Sequence, residues 1–325
     1  MGSLANYAGS RKIGVLAVVA AGLVALAVVL GTQRGERAAA PGERTPAADA
    51  PSNSGSVAET GTPKSDYVID LNTGVRTLLP RAIIGSAAKL GQYAVSPDGS
   101  QLAYVGDDND GTPQIFVAGI DGSGIRQVTH DPVRAASPAW SPDGTKIAYG
   151  GSGSLFVLDV ATGDSTPIAD AGRGGPWAQP QFSPDGSSLL YTDPGPSDYG
   201  SVLRTVPIDG GKTAVLIGPD EGMGHAGNGS LSPDGLLVTM MGNEINGPGA
   251  ARFVSNVDGT ERRHIPEGGS NPAGTWSPDG GRIVCSDYAR KNILVVDVAT
   301  ASASRVAKGR AAIWLDAHTL LVDVA

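Results

Sequence analysis

The chain has 325 residues, including 47 Gly and 23 Pro, and carries a formal net charge of −8 at pH 7. This composition suits an all-β protein with many turns. From residue 65 onward the chain holds 18 Lys and Arg against 28 Asp and Glu. Such an acidic domain, without a basic stripe, is a poor nucleic-acid binder, because phosphate contacts dominate that affinity.

The first predicted element is a transmembrane helix over residues 13–31. An apolar run from Ile13 to Leu30 follows Arg11 and Lys12, and its length is near the lower limit for a membrane span. The run is longer than the usual apolar region of a cleaved signal peptide, so an uncleaved signal-anchor is favoured over cleavage near residues 38–40. We expect residues 1–12 to be a cytoplasmic tail.

Residues 32–64 are predicted to be a disordered stalk. From residue 38 they consist mainly of Ala, Pro, Ser, Thr, Gly and Glu, with almost no large apolar side chain. Such a segment cannot bury enough surface to offset its chain entropy. It would hold the domain at residues 65–325 away from the membrane.

The tetrapeptide Ser-Pro-Asp-Gly is repeated through that domain. Its five copies begin at Ser96, Ser141, Ser183, Ser232 and Ser277, at intervals of 45, 42, 49 and 45 residues. Pro, Asp and Gly in this order form a tight turn, and strand-like residues flank each copy. A second apolar strand pair with a polar turn recurs about twenty residues after each copy. Two hairpins per period make four antiparallel strands, which is one propeller blade.

The two ends of the domain are predicted to share a blade. Residues 67–79 form an extra copy of the second hairpin, before the first tetrapeptide. Residues 312–322 resemble a degenerate first hairpin, after which the sequence stops. Pairing the two halves gives six blades and closes the ring, which removes exposed sheet edges.

These repeats resemble the TolB-type six-bladed β-propeller, whose repeat places an aromatic residue before Ser-Pro-Asp-Gly and ends a later strand in Asp-Gly or Thr-Gly. The resemblance covers the whole predicted globular part and implies an all-β fold and contacts with envelope proteins. Together with the stalk, it favours a cytoplasmic N-terminus and a propeller on the extracytoplasmic side of the cell membrane. It does not transfer a particular partner. The separate N-terminal α/β domain of TolB has no counterpart before this propeller.

The blade geometry separates turns that build the fold from loops that could bind a partner. The tetrapeptide turns and the Asp-Gly turns lie at one end of each blade, where their Asp side chains are expected to cap their own turns. The opposite end, which we call the variable end, carries loops that differ from blade to blade. The candidate binding residues in these loops are Arg134, Arg173, Trp177, Asp220, Glu221, His225, Glu244, Tyr288 and Arg290.

Several other residues favour structural roles. Trp140, Phe182 and Trp276 precede tetrapeptides at one phase and are expected to pack between blades. The loop 107–111 lacks the ligand spacing of an EF-hand, and a solvated hairpin is the better interpretation. Cys285, the only cysteine, is expected to be a small buried hydrophobe. The four His residues have no zinc-ligand spacing.

We therefore predict a membrane-tethered, non-catalytic module that binds a protein or peptide of the cell envelope and uses no cofactor. The alternative is a metal-dependent lactonase-type enzyme, with Asp220, His225, Asn243 and Glu244 near the channel. A prolyl-oligopeptidase-type hydrolase would need a Gly-x-Ser-x-Gly motif, which the sequence lacks. A ligand sensor or a stabilising subunit of a larger envelope complex is a third possibility.

Overall fold

The structure, a computed structural model, describes nine stretches of the chain, and the predicted transmembrane helix and stalk lie outside them. The described residues are 67–78, 93–132, 134–171, 178–194, 200–218, 222–244, 251–265, 274–287 and 290–324. All of them belong to one compact unit, Thr62–Ala325. Within these stretches, no helix combines the length and hydropathy that a membrane span requires.

The described residues form six four-stranded antiparallel sheets, which confirms the predicted six-bladed propeller. Blade 1 contains β3 (Tyr93–Val95), β4 (Gln101–Asp107), β5 (Pro113–Gly119) and β6 (Arg126–Gln127). Blade 2 contains β7 (Ala135–Trp140), β8 (Lys146–Gly151), β9 (Ser154–Asp159) and β10 (Ser165–Asp170). Blade 3 contains β11 (Gln181–Phe182), β12 (Ser188–Asp193), β13 (Val202–Pro207) and β14 (Ala214–Ile217).

The remaining blades follow the same order. Blade 4 contains β15 (Met223–Leu231), β16 (Leu237–Glu244), β17 (Ala251–Asn256) and β18 (Arg263–Ile265). Blade 5 contains β19 (Thr275–Trp276), β20 (Arg282–Asp287), β21 (Asn292–Asp297) and β22 (Ala303–Lys308). Blade 6 contains β23 (Ala311–Trp314) and β24 (Thr319–Asp323) with β1 (Tyr67–Asp70) and β2 (Arg76–Leu78).

Blade 6 joins the two ends of the domain, as predicted. Its strand order is β2-β1-β24-β23, and Val68 lies opposite Leu321 in the antiparallel ladder between β1 and β24. The backbone N–H of Leu71 also donates to the carbonyl oxygen of His318 at 2.8 Å. The ring is therefore closed by hydrogen bonds between strands that are about 250 residues apart in sequence.

Each tetrapeptide forms the predicted turn, and its Asp caps that turn. In the second copy the Ser141 hydroxyl donates to Asp143 Oδ1 at 2.6 Å, and the backbone N–H of Thr145 donates to the same oxygen at 3.0 Å. The other four copies repeat the Ser–Asp bond. Gly144 has a φ of +72°, in the left-handed region that glycine adopts without strain.

The hydrophobic core is divided among the blade interfaces. Five clusters of buried apolar residues each combine side chains from two neighbouring blades. The sixth consists of buried residues of blade 1, against which the partly buried Ile313 of blade 6 packs. Trp140, Phe182 and Trp276 are all buried within these clusters, which confirms their predicted packing role. Cys285 is buried in the cluster between blades 4 and 5, as expected for a small hydrophobe.

Candidate functional site

The inner strands of all six blades surround a cavity of about 390 Å³ in the central channel. The strands that line it are β3, β7, β11, β15, β19 and β23, the first strand of each blade in the repeat. The cavity extends as far as Pro97 and Pro233 of the tetrapeptide turns. It is therefore a product of ring closure, because no single blade could enclose it.

The wall of this channel cavity is largely apolar, with several polar groups and no charged side chain among its described residues. Hydroxyl and amide side chains alternate with small apolar residues, prolines and three tryptophans. None of the described residues that line the cavity is Asp, Glu, Lys, Arg or His. The hydroxyl and amide side chains of the wall are Tyr93, Ser137, Gln179, Gln181, Asn228, Ser230 and Thr275.

The tryptophans of the wall connect neighbouring blades. The indole N–H of Trp140 donates to the carbonyl oxygen of Ala94 at 3.1 Å, and Trp276 does the same to Ser230 at 2.8 Å. Both acceptors lie on the inner strand of the preceding blade. Because their N–H groups are used in this way, the indoles hold the ring together and have no donor left for a ligand.

Between blades 3 and 4 a glutamine takes over this connection. Blade 4 has Leu231 where blades 2 and 5 have tryptophan. The Gln181 side chain accepts from the N–H of Leu231 at 2.7 Å and donates to its carbonyl oxygen at 3.3 Å. The amide of Gln181 is therefore a structural link in the channel wall.

Three consecutive blades carry a bulge at the same point of the chain, four residues before the tetrapeptide; in blade 3 it lies just before β11. The bulged residues Ser137, Gln179 and Asn228 have φ values of 55°, 46° and 50°. In blades 2 and 4 two residues face one residue of the next strand, which breaks the ladder locally. A left-handed conformation costs a non-glycine residue about 1–2 kcal/mol, and such strain is concentrated at functional sites.

None of these three residues is among the binding residues predicted from the sequence. Each is polar and lies four positions before a tetrapeptide serine, and two of them precede Pro138 and Pro180. That spacing was the available signal. A left-handed backbone at Gln or Ser, however, could not be predicted from residue type.

Four of the nine predicted binding residues lie within the described part of the chain, and all four are at the variable end. Arg134 immediately precedes β7, and Arg290 lies in the hairpin between β20 and β21. His225 and Glu244 lie on the paired strands β15 and β16. These four residues are spread over blades 2, 4 and 5, and only His225 and Glu244 share a sheet. The other five, Arg173, Trp177, Asp220, Glu221 and Tyr288, lie outside the described residues.

Ion pairs at the variable end engage two of these side chains. Glu244 Oε1 lies 3.0 Å from Arg262 Nε, and the Arg262 side chain is mostly buried. Arg290 Nη1 lies 3.5 Å from Asp287 Oδ2, while 77% of the Arg290 side chain is exposed. Most of the Arg290 side chain is thus accessible at the surface, although its partner Asp287 is largely buried.

His225 joins blades 3 and 4. Its Nδ1 accepts the backbone N–H of Ser201 at 3.1 Å, so the ring must be unprotonated at Nδ1. Burial lowers the pKa of His225 below the usual 6.5, because it disfavours the charged imidazolium. A neutral, hydrogen-bonded imidazole in this place supports the variable end of β15.

The acidic loop 107–111 is an ordinary capped turn. Asp108 Oδ1 accepts the backbone N–H groups of Asp110 and Thr112 at 2.9 and 2.8 Å. Across the described stretches, no three His, Cys, Asp or Glu side chains converge as metal ligands. Of the predicted lactonase-type set, His225 lies opposite Asn243 and Glu244 opposite Met223, while Asp220 is outside the described residues.

Comparison with known proteins connects this geometry to one family. Two curated relatives match short segments. One is the "Uncharacterized peptidase YuxL" of Bacillus subtilis, 32% identical over 111 residues, or 31% of this chain and 16% of that protein. The other is the "Protein TolB homolog" of Chlorobium chlorochromatii, 33% identical over 79 residues, or 23% of this chain and 18% of that protein. The chain thus spans less than a fifth of the length of these relatives.

A solved structure and a family match agree on the fold. TolB from Acinetobacter baumannii superposes with a TM-score of 0.60 at 14% identity, over 79% of this chain and 63% of that one. At this identity the likeness shows the fold alone. Residues 58–267, more than half of the chain, match the family described as PD40, TolB beta propeller domain. The chain therefore belongs to the TolB β-propeller domain family.

Proposed function

We propose that this propeller is a binding module for a protein or peptide of the cell envelope, and that it does not catalyse a reaction. It would be held on the extracytoplasmic side of the membrane by a single N-terminal helix. The observation that carries the proposal is the channel cavity, whose described wall offers hydroxyls, amides and prolines without any charged or nucleophilic constellation. Pockets with a few placed polar groups are typical of ligand binding.

The variable end supports the same function. It holds the exposed side chain of Arg290. The sequence predicts Arg173 and Trp177 as further contact residues of this end, and both lie outside the described residues. Arginine and aromatic side chains are enriched at protein interfaces. The partner would dock on this end and reach towards the channel mouth.

The enzymatic alternative has support in the names of three relatives, one called a peptidase and two called dipeptidyl-peptidase 5. The segments shared with these relatives are only 16%, 18% and 22% of their lengths. Two of the four polar groups predicted for a metal site are already engaged, because His225 accepts from Ser201 and Glu244 pairs with Arg262. We therefore favour binding over catalysis.

Site-directed photo-crosslinking of the full chain tests the proposal. A photoreactive residue replaces Arg290 at the variable end or, as a matched control, Leu236, which is 65% exposed at the tetrapeptide end. We expect one discrete adduct at position 290 that the double variant Arg173→Ala, Trp177→Ala weakens, and no adduct at position 236. Equal labelling at both ends would contradict the choice of face.

A second measurement separates binding from catalysis. The chain is assayed with a chromogenic lactone and with a chromogenic dipeptide substrate, with and without added Mn²⁺ or Ca²⁺. Metal-dependent turnover that is lost in Glu244→Gln would overturn the non-catalytic proposal. We expect no turnover above that of the Glu244→Gln protein.

A further inference from the structure

Two amide side chains of the channel are not used by the fold. Gln179 and Asn228 are half-buried and line the channel cavity. Within the described part of the chain, neither side-chain amide makes a hydrogen bond, whereas the amide of Gln181 makes two. Each free amide offers two donors and one acceptor to a molecule in the channel.

The backbone at these two positions points to the same conclusion. Gln179 and Asn228 occupy equivalent bulges in neighbouring blades, both with left-handed φ values. Glycine would hold this conformation without strain, yet the chain places an amide side chain there. The bulge at Asn228 is held in place by blade 3, because the backbone N–H of Asn228 donates to Thr192 Oγ1 at 2.9 Å. Two amides are therefore held on adjacent blades by a rigid backbone.

The charge of the wall restricts the ligand. The domain is strongly acidic overall, but the described cavity lining has no charged side chain. A Lys or Asp of a ligand would lose its water here without gaining an opposite charge, which is costly. A neutral ligand with both donors and acceptors fits the wall.

We propose that the channel cavity binds an uncharged peptide segment, whose backbone amide groups pair with the side-chain amides of Gln179 and Asn228. This inference rests on the proposed function and names the ligand class of its channel. A volume of about 390 Å³ falls in the range of roughly 300–1,000 Å³ typical of ligand pockets. The three indoles of the wall are buried, so the half-buried ring of Tyr93 is the one accessible aromatic side chain of the described wall, which favours a peptide over a carbohydrate.

The probes are end-blocked tetrapeptides added to the full chain labelled with ¹⁵N. Acetyl-Gly-Ala-Ala-Gly-amide is compared with the same peptide carrying Lys or Asp at the third position, and with maltose as a neutral sugar. Chemical-shift changes of the side-chain NH₂ groups of Gln179 and Asn228 report binding at the site itself. We expect the uncharged peptide to shift both groups and the charged peptides to bind at least about tenfold more weakly.

Glycine variants separate recognition from structure. Gln179→Gly and Asn228→Gly relieve the left-handed strain, so the thermal midpoint should not fall. Each should nevertheless weaken binding of the uncharged peptide by about tenfold, since a hydrogen bond is worth about 1 kcal/mol or somewhat more. Gln101→Ala, which removes an amide outside the cavity, serves as the matched control and should bind like the original chain.

Three results would overturn the inference: binding unchanged in both glycine variants, charged peptides that bind as well as the neutral one, or shifts caused by maltose alone. If none of the peptides binds, the channel is not a site for uncharged peptides. The crosslinking at position 290 would still test the proposed function separately, because it does not depend on the channel.

Discussion

The indole N–H of Trp314 donates to the carbonyl oxygen of Thr275 at 3.0 Å and so ties the last inner strand to that of blade 5. The guanidinium carbon of Arg282 lies over the same Trp314 ring, 5.2 Å from the ring centroid. Arg282 also donates to the carbonyl oxygen of Ala317 in the degenerate turn of blade 6. Blade 6 lacks a Ser-Pro-Asp-Gly turn, and these contacts fix its position instead.

Replacing this tryptophan should therefore weaken ring closure. Trp314→Phe keeps an aromatic ring but removes the indole N–H, so the carbonyl oxygen of Thr275 loses this hydrogen bond. We expect the free energy of unfolding to fall by about 1–3 kcal/mol. Urea unfolding of the full chain, followed by tryptophan fluorescence and circular dichroism, measures the change. Trp140→Phe, which removes the equivalent bond between blades 1 and 2, should cost a similar amount. A stability unchanged in both variants would show that the indole bonds contribute nothing to closure.

Truncation tests closure more directly. Deleting residues 312–325 removes most of β23 and all of β24. Of the described strands that pair with β1, only β2 would then remain. We expect a large drop in the thermal midpoint and a loss of cooperativity, because the ring opens and exposes the edge of β1. Removal of Ala325 alone is the control and should have no effect. A truncated protein that melts like the control would contradict the closed ring.

The turn glycines offer a local test. Gly144→Val places a β-branched residue at a φ of +72° and should destabilise the domain by about 1–3 kcal/mol. Gly281→Val is the matched control, since Gly281 is exposed and lies outside the left-handed region. Chemical denaturation of both variants gives the difference. Equal losses in the two variants would mean that backbone conformation is not the cause.

The tetrapeptide aspartates predict an acid-sensitive fold. Bonds from the Ser141 hydroxyl and from the backbone and side chain of Thr145 lower the pKa of Asp143 to about 2, from an ordinary value of 3.8. Because the pKa of Asp143 is lower in the folded chain than in the unfolded chain, its contribution to the free energy of unfolding is fully present above about pH 4. That contribution is lost as the pH falls from about 4 towards 2. Asp185 behaves in the same way.

This pH dependence is measured as the urea midpoint between pH 2 and pH 6. The double variant Asp143→Asn, Asp185→Asn should be less stable at pH 6 and should lose less stability between pH 4 and pH 2. Asp209→Asn, outside the tetrapeptides, is the control. Parallel curves for the double variant and the original chain would exclude these carboxylates as the acid-sensitive groups.

The repeat made the fold predictable in detail, but only part of the site. The five tetrapeptides identified the inner hairpins, and the unpaired hairpins at 67–79 and 312–322 identified blade 6, because the count of strands allowed no other closure. The strained bulges at Ser137, Gln179 and Asn228 were not predictable, since they depend on where neighbouring blades approach. The variable-end residues remain predictions, and five of them lie outside the described residues.

His225 gives the last test, at milder pH. Burial lowers its pKa below 6.5, so the unfolded chain binds the proton more readily and stability should decline as the pH falls below about 6.5. His225→Asn retains an acceptor for the N–H of Ser201 and should flatten this decline, while the same change at the exposed His130 should not. The measurement is the urea midpoint between pH 5 and pH 8 for the three proteins. If stability still declines below about pH 6.5 in His225→Asn, another group titrates in that range. The link between blades 3 and 4 would then not depend on the protonation of His225.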